Sequence, residues 1–343
     1  MDVYFFVFIV IAFFGLINEL TSKLTYSKYY NLLTITILTL VSGLRHYEVG
    51  ADSPMYVEIF EFLSNNYLIN YLELERGYNL LNILISQFIS DRQLFVFIMS
   101  LFTTLPICIF IAKKNKKQAW LGYVLFVGLG HWIGSMYLMR QWCAISICLL
   151  ALYFLKNKKK IKCLLTVIIA ILFHYSAVIF FIIFFVNHIK RIKLFYLCAV
   201  ICSAFITLTG DFLFRLISQY TRINYYESGT ESGGGHFFFV FLLLLATIPI
   251  LFNQKKILDT LYYKMILVAL ALFGLSFTIA LTLRALLYFT IAIYIIFPLI
   301  INEVVKKRLD RFLLSLVVVV LIGIWYTVIL GNDWISPYKF FFL

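Results

Sequence analysis

Seven arginines mark the chemistry this chain could do: Arg45, Arg76, Arg92, Arg140, Arg215, Arg222 and Arg284. Hydrophobic runs divide the sequence into loops, and lysine-rich loops mark one side of a membrane through the positive-inside bias. Those loops are Lys23/Lys28, 113–117, 156–162, 188–193, Lys255/Lys256 and 306–311. All lysines but Lys339 fall on that side, and the seven arginines fall on the other. Topology therefore does not explain the arginines. A guanidinium is the preferred planar fork for phosphate oxygens. The pattern points to a phosphorylated substrate handled at the outer face.

Two of the seven are the sharpest. Arg140 lies sixteen residues before Lys156, about 24 Å along a helix, near the outer edge of the hydrocarbon. Arg284 lies between two apolar runs. An ionisable group at membrane depth is a functional candidate, against the alternative of snorkelling to headgroups. Arg215 and Arg222 are two turns apart on one helix face and could flank a pyrophosphate or simply face water. Three groups could move a proton. Asp52 closes the polar stretch that runs from Gly43 to Pro54. Glu75 opens Glu75-Arg76-Gly77-Tyr78, and His174 is a lone histidine in an apolar run. An arginine beside an acid suits a site that binds phosphate and needs a general base. Turn chemistry and an ordinary core histidine are the bland alternatives. The five histidines show no metal-ligand spacing. No HExxH, P-loop, GxGxxG or nucleophile elbow is present. No metal and no cofactor are expected.

The elements that must position these groups are membrane helices. Hydrophobic residues make up 63% of the 343-residue chain and charged residues 13%, where a soluble domain has about 25% charged. The net charge of +13 sits on lysines that border apolar runs, which suits anionic headgroups. It does not suit nucleic acid, which needs interleaved aromatics. The six cysteines lie in or beside apolar runs without a CxxC pair, so neither zinc nor a disulfide framework is indicated. The first apolar run has no basic n-region or cleavage site and reads as a retained helix.

Apolar length predicts about ten full spans, near 3–20, 29–44, 94–112, 118–136, 140–155, 194–209, 237–252, 262–280, 285–302 and 312–330. Both termini then face outward. Residues 163–187 form one apolar run between two basic clusters, so a single span would put one cluster outside. A broken helical hairpin turning near His174 avoids that. The chain reads as a single transmembrane domain, 1–343, with two outer loops. In the first, 45–93, Asp52-Ser53-Pro54 reads as an N-cap with Pro at the first helical position. A second helix there runs from about residue 73 to 90. The second loop, 210–236, begins as an amphipathic helix and ends in a glycine-rich stretch expected to be mobile. No internal repeat suggests a two-lobed transporter.

Several motifs occur in order. Gly43-Leu44-Arg45 precedes Val49-Gly50-Ala51-Asp52 and Tyr56. Glu75-Arg76-Gly77-Tyr78 follows, then Met139-Arg140-Gln141 and Phe173-His174-Tyr175-Ser176. Arg284 with Tyr288, and Pro337-Tyr338, complete the set. Together they resemble the EpsG/Wzy family of bacterial polysaccharide polymerases, which make O-antigen, capsule and exopolysaccharide. Ala51 stands where that family usually has Thr. The resemblance implies a membrane glycosyltransferase of GT-C-like architecture in the bacterial inner membrane, active at the outer face. Its donor would be a glycan on undecaprenyl pyrophosphate and its acceptor a repeat unit on the same lipid. A chain-length regulator and a flippase of the same pathway would be further partners. Arg140 and Arg284 suit the leaving pyrophosphate, with Arg45, Arg76, Arg215, Arg222 and Tyr288 as further binding candidates. Asp52 is the first candidate for the base, ahead of Glu75 and His174. A lipid-linked oligosaccharide flippase should instead show cations along the whole path. A membrane O-acyltransferase would rest on His174 and leave the arginines unexplained.

Overall fold

The computed structural model describes residues 2–21, 24–66, 74–115, 118–220, 234–277, 281–331 and 337–342. Among them the fold is all-α apart from one isolated antiparallel bridge, Arg45 with Phe340. The first helices are α1 (Val3–Thr21), α2 (Leu24–Leu44), α3 (Ser53–Asn66), α4 (Arg76–Ser86), α5 (Arg92–Thr103) and α6 (Leu105–Lys114). Next come α7 (Ala119–Gly128), α8 (His131–Tyr137), α9 (Met139–Lys156) and α10 (Lys160–Phe173). A 3-10 segment, Tyr175–Phe181, leads to α11 (Ile182–Val186), α12 (Ile192–Tyr220), α13 (Gly234–Leu251), α14 (Lys255–Leu258) and α15 (Leu261–Phe273). The chain continues through α16 (Leu281–Thr290), α17 (Ile293–Val304) and α18 (Arg308–Leu330).

Among the described residues, five helices are long and apolar enough to cross a membrane: Val3–Thr21, Arg92–Lys114, Met139–Lys156, Ile192–Gly210 and Arg308–Leu330. Counting each bent pair as one span, α7 with α8 and α16 with α17, gives seven. The protein is thus an all-α, multi-pass membrane protein with five to seven spans by this measure, against an expectation of about ten. Two further apolar runs, Gly235–Leu251 and Leu261–Phe277, form shorter helices. Helix α2 has the length, but Thr, Ser, Tyr and Asn interrupt its apolar character. The bend of 60° between α7 and α8 falls at Gly130, whose φ of +75° is left-handed and suits glycine. The apolar run 163–187 is broken at His174, whose backbone is extended (φ −160°, ψ 121°).

The chain forms two compact units. The first comprises Met1–Val178 and Lys306–Leu343, the second Ile179–Val305. In the first, α1 buries Tyr4, Val7, Phe8, Ile11 and Gly15 on one stripe and leaves Phe6, Ile9 and Phe13 exposed on the other, as a lipid-facing helix must. Helices α1, α7 and α18 pack together. Near the ends of α1 and α18, Glu19 accepts from Trp120 Nε1 at 3.3 Å and from Arg311 Nε at 3.3 Å. The core holds Trp120, Trp132 and Trp142, all fully buried. Residues 337–341 return to the end of α2. His46 N donates to Lys339 O (2.8 Å) and Phe341 N to Leu44 O (3.0 Å). The Tyr338 hydroxyl donates to Val41 O at 2.7 Å.

In the second unit, α12, α13 and α15 pack around buried apolar side chains. The Tyr263 hydroxyl donates to Ala246 O at 2.6 Å, and Lys264 Nζ reaches Asn187 O at 3.0 Å. Helix α12 continues unbroken from its span to Tyr220. The helical stretch expected at the start of loop 210–236 is thus continuous with the membrane helix before it, whose apolar span ends at Gly210. The glycine-rich stretch lies outside the described residues.

Candidate functional site

Glu75 is where three distant segments meet. It is the N-cap residue of α4 (φ −62°, ψ 131°), yet its side chain caps nothing. The helix predicted from about residue 73 starts at Arg76 and ends at Ser86. Glu75 is 3% exposed, and burying a carboxylate is costly unless it is paired and hydrogen-bonded. Each of its oxygens has a partner. Oε2 accepts from Arg140 Nη1 at 2.7 Å. Oε1 lies 2.9 Å from His174 Nδ1 and accepts from Tyr175 N at 3.3 Å.

Local structure explains each contact. Arg140 is the second residue of α9, after Leu138 (φ −90°, ψ 52°) separates that helix from α8. A cation in a first helical turn opposes the helix dipole, and Glu75 offsets this. The guanidinium also donates from Nε to the Tyr56 hydroxyl at 3.3 Å and lies 5.6 Å from the Tyr56 ring centroid, a cation–π distance. His174 ends α10 in extended backbone, which frees the Tyr175 N–H for Glu75. Helix α4 can approach α10 this closely because residue 77 is glycine. A Cβ there would lie 2.8 Å from Leu172 O and 2.9 Å from Leu172 Cβ.

Burial opposes ionisation of Glu75. Hydrogen bonds from His174 and from the backbone, with the charge and hydrogen bond of Arg140, outweigh it and bring the carboxyl down to about 2. Glu75 is thus an anion held by three donors, and a weak proton acceptor. Burial pushes the Tyr56 phenol above its ordinary value, against the opposing charge of Arg140, so it stays a neutral hydroxyl. Ionised Glu75 favours the histidine tautomer with its proton on Nδ1, which leaves Nε2 as the acceptor. A cation, an anion and an oriented imidazole then share one site. That set can hold an anionic leaving group and take a proton from a hydroxyl.

The other candidates are placed differently. Asp52 is half-buried, and its carbonyl accepts the Tyr56 N–H at 3.2 Å as α3 begins. Helix α3 starts at Ser53, with Pro54 second. Arg45 is 1% exposed and is spent on backbone. It donates from Nε to Val49 O at 3.3 Å, from Nη2 to Met136 O at 2.6 Å, and from Nη1 to Ser42 O. Arg76 is exposed in the first turn of α4. In the second unit, Arg284 is exposed on α16, and Tyr288 is fully buried with its ring 6.3 Å from that of Phe180. Arg215 lies on α12. Arg222 lies outside the described residues. Tyr56 and Gly77 are site residues that spacing alone did not single out. Both sat in motifs already noted, and a glycine directly after a buried acid and an arginine was the available signal. Among the described residues, no group of three or more His, Cys, Asp or Glu could hold a metal.

A search of curated proteins and a search of solved structures each return no match. The scan against family models does: the model described as EpsG family matches residues 28–340. That match takes in Arg45, Asp52, Glu75, Arg140, His174 and Arg284, and it covers most of the chain. The protein belongs to the EpsG family.

Proposed function

We propose that this protein is a polysaccharide polymerase, a membrane glycosyltransferase that joins lipid-linked oligosaccharide repeat units at the outer face of the inner membrane. Family membership supports a polymerising glycosyltransferase. The donor is the growing glycan on undecaprenyl pyrophosphate, and the acceptor is a single repeat unit on the same lipid. A chain-length regulator and a flippase belong to the same pathway. A GT-C-like arrangement of about ten membrane segments, with 163–187 as a hairpin, fits this reading. So does a single transmembrane domain with outer loops at 45–93 and 210–236.

The observation that carries the mechanism is the set Glu75, Arg140 and His174. An acceptor hydroxyl gives its proton to His174 Nε2, and its oxygen attacks the donor's anomeric carbon. The bond from that carbon to the pyrophosphate oxygen breaks, and the lipid pyrophosphate leaves with the electron pair. Arg140 meets the charge that develops on it. Glu75 stabilises the imidazolium, the role of the buried acid in a catalytic triad. Arg284 is a second candidate for the pyrophosphate. Arg45 becomes a structural tie and Asp52 a helix cap.

Purified protein incubated with lipid-linked repeat units should produce a ladder of products. His174→Gln should lose about 10²–10⁴ in rate, the usual cost of a lost general base. Asp52→Asn, which caps equally well, should stay active. An inactive but folded Asp52→Asn beside an active His174→Gln would move the base to Asp52. A wild type that makes no ladder would overturn the reading.

A further inference from the structure

The outer loop holds a second site that the mechanism above does not use. A cavity of about 410 Å³ lies against α3, within the range of roughly 300–1,000 Å³ usual for small-molecule sites. Pro54, Val57, Glu58 and Glu61 line it. Their spacing of three, four and seven residues puts them on one face of α3, opposite Tyr56. Tyr47, Glu48 and Arg92 complete the lining. The cavity and the Glu75 cluster therefore share a helix and use opposite faces of it.

The charges in this cavity are arranged unevenly. Arg92 forks onto Glu61, with Nη2 to Oε2 at 2.9 Å and Nε to Oε1. It also reaches the Tyr47 hydroxyl at 3.4 Å and lies 5.3 Å over the Tyr47 ring. Its charge is thus matched by Glu61. Glu48 and Glu58 remain, both exposed; Glu48 Oε2 lies 3.5 Å from His46 Nδ1, outside the lining, and the lining itself holds no second cation. They do not form a metal cage, since the described residues hold no group of three such ligands. Carboxylates that accept from several hydroxyl or ammonium groups, beside the half-buried ring of Pro54, suit a sugar ring with its polar rim and C–H faces. The same carboxylates repel an acidic sugar.

We propose that this cavity is a glycan subsite that accepts neutral or amino-bearing sugars and rejects uronic acids. Only the source of the sugar, the lipid-linked repeat unit, rests on the polymerase reading. The full chain in nanodiscs is probed by saturation-transfer NMR with methyl β-glucoside, glucosamine and glucuronate. The first two should receive saturation, and glucuronate should receive less by about tenfold or more. Val57→Trp, which fills the cavity, should abolish all transfer. Glu58→Lys should admit glucuronate, a gain that misfolding cannot mimic. Equal transfer to glucuronate and glucoside in the wild type would overturn the proposal. So would unchanged transfer in Val57→Trp, a Glu58→Lys protein that still rejects glucuronate, or a wild type that makes polymer yet shows no transfer. If the wild type binds the neutral probes but makes no ladder from lipid-linked units, the polymerase reading fails and the sugar site stands.

Discussion

Glu75 and Arg140 form a pair whose two halves do different work, and substitutions should separate them. Arg140→Lys keeps the charge, but one ammonium cannot reproduce the planar fork that reaches both Glu75 and Tyr56. Most polymerisation should be lost while the protein still folds, as read from product ladders and size-exclusion profiles. Arg284→Lys should behave alike if it also meets pyrophosphate; near wild-type rates in both would reduce them to headgroup anchors. Glu75 carries a pH signature. Its carboxyl is held at about 2, against an ordinary value of 4.5, so the folded state prefers the ionised form. The resulting stability is fully present above about pH 5 and is lost as pH falls toward 2. A shift of that size corresponds to about 3 kcal/mol. Thermal melts of the nanodisc-embedded wild type should fall steeply over that window. Glu75→Gln should start lower, because it leaves Arg140 partly buried without its anion, and should be flatter with pH. A wild-type melt indifferent to pH between 5 and 2 would remove Glu75 from the ionised state.

At the level of elements, the site depends on how closely α4 lies against α10. Gly77→Ala puts a methyl group 2.8 Å from the Leu172 carbonyl oxygen, a backbone atom that cannot rotate away. The helices must separate, at about 1–3 kcal/mol for an overpacked contact. Glu75, two residues earlier, should then move off His174. Both stability and activity should fall, whereas Leu80→Ala, on the exposed side of the same helix, should change little. Melting temperatures and ladder assays on the two variants make the comparison. This is also where the limits of sequence reasoning are clearest. The start of α3 was legible because Asp52-Ser53-Pro54 is local turn chemistry. The break at His174 was legible because a polar residue interrupts an apolar run, whereas the bend at Gly130 falls inside 118–136, which reads as one full span. The pairing of Glu75 with Arg140 and His174 was not, because those partners lie 65 and 99 residues away and no local pattern encodes a contact over that distance. Helix α12 runs on past its apolar span because Asp211 and Arg215 change polarity without removing a backbone hydrogen bond. The type of Arg45 was legible, and its three backbone acceptors were not.

For the whole molecule, charge decides which loops share a side. Lys158 and Lys190 are both exposed, in basic clusters that flank the apolar run 163–187. Cysteines placed at 158 and 190, in a background without the native cysteines, should both be labelled only from the cytoplasmic side. Labelling of 190 from outside would replace the hairpin with a single span. The return of residues 337–341 to the end of α2 adds a constraint of a different kind. Tyr338 and Val41 are bonded across 297 positions, so the ribosome must deliver nearly every intervening helix before that seam closes. Until then the backbone groups of residues 44–46 have no strand beside them, and the turn that leads to α3 is held from one side only. A nascent chain can therefore insert its early helices without yet having a finished loop between α2 and α3. Ordering of that loop is a late event, timed by synthesis rather than by local folding.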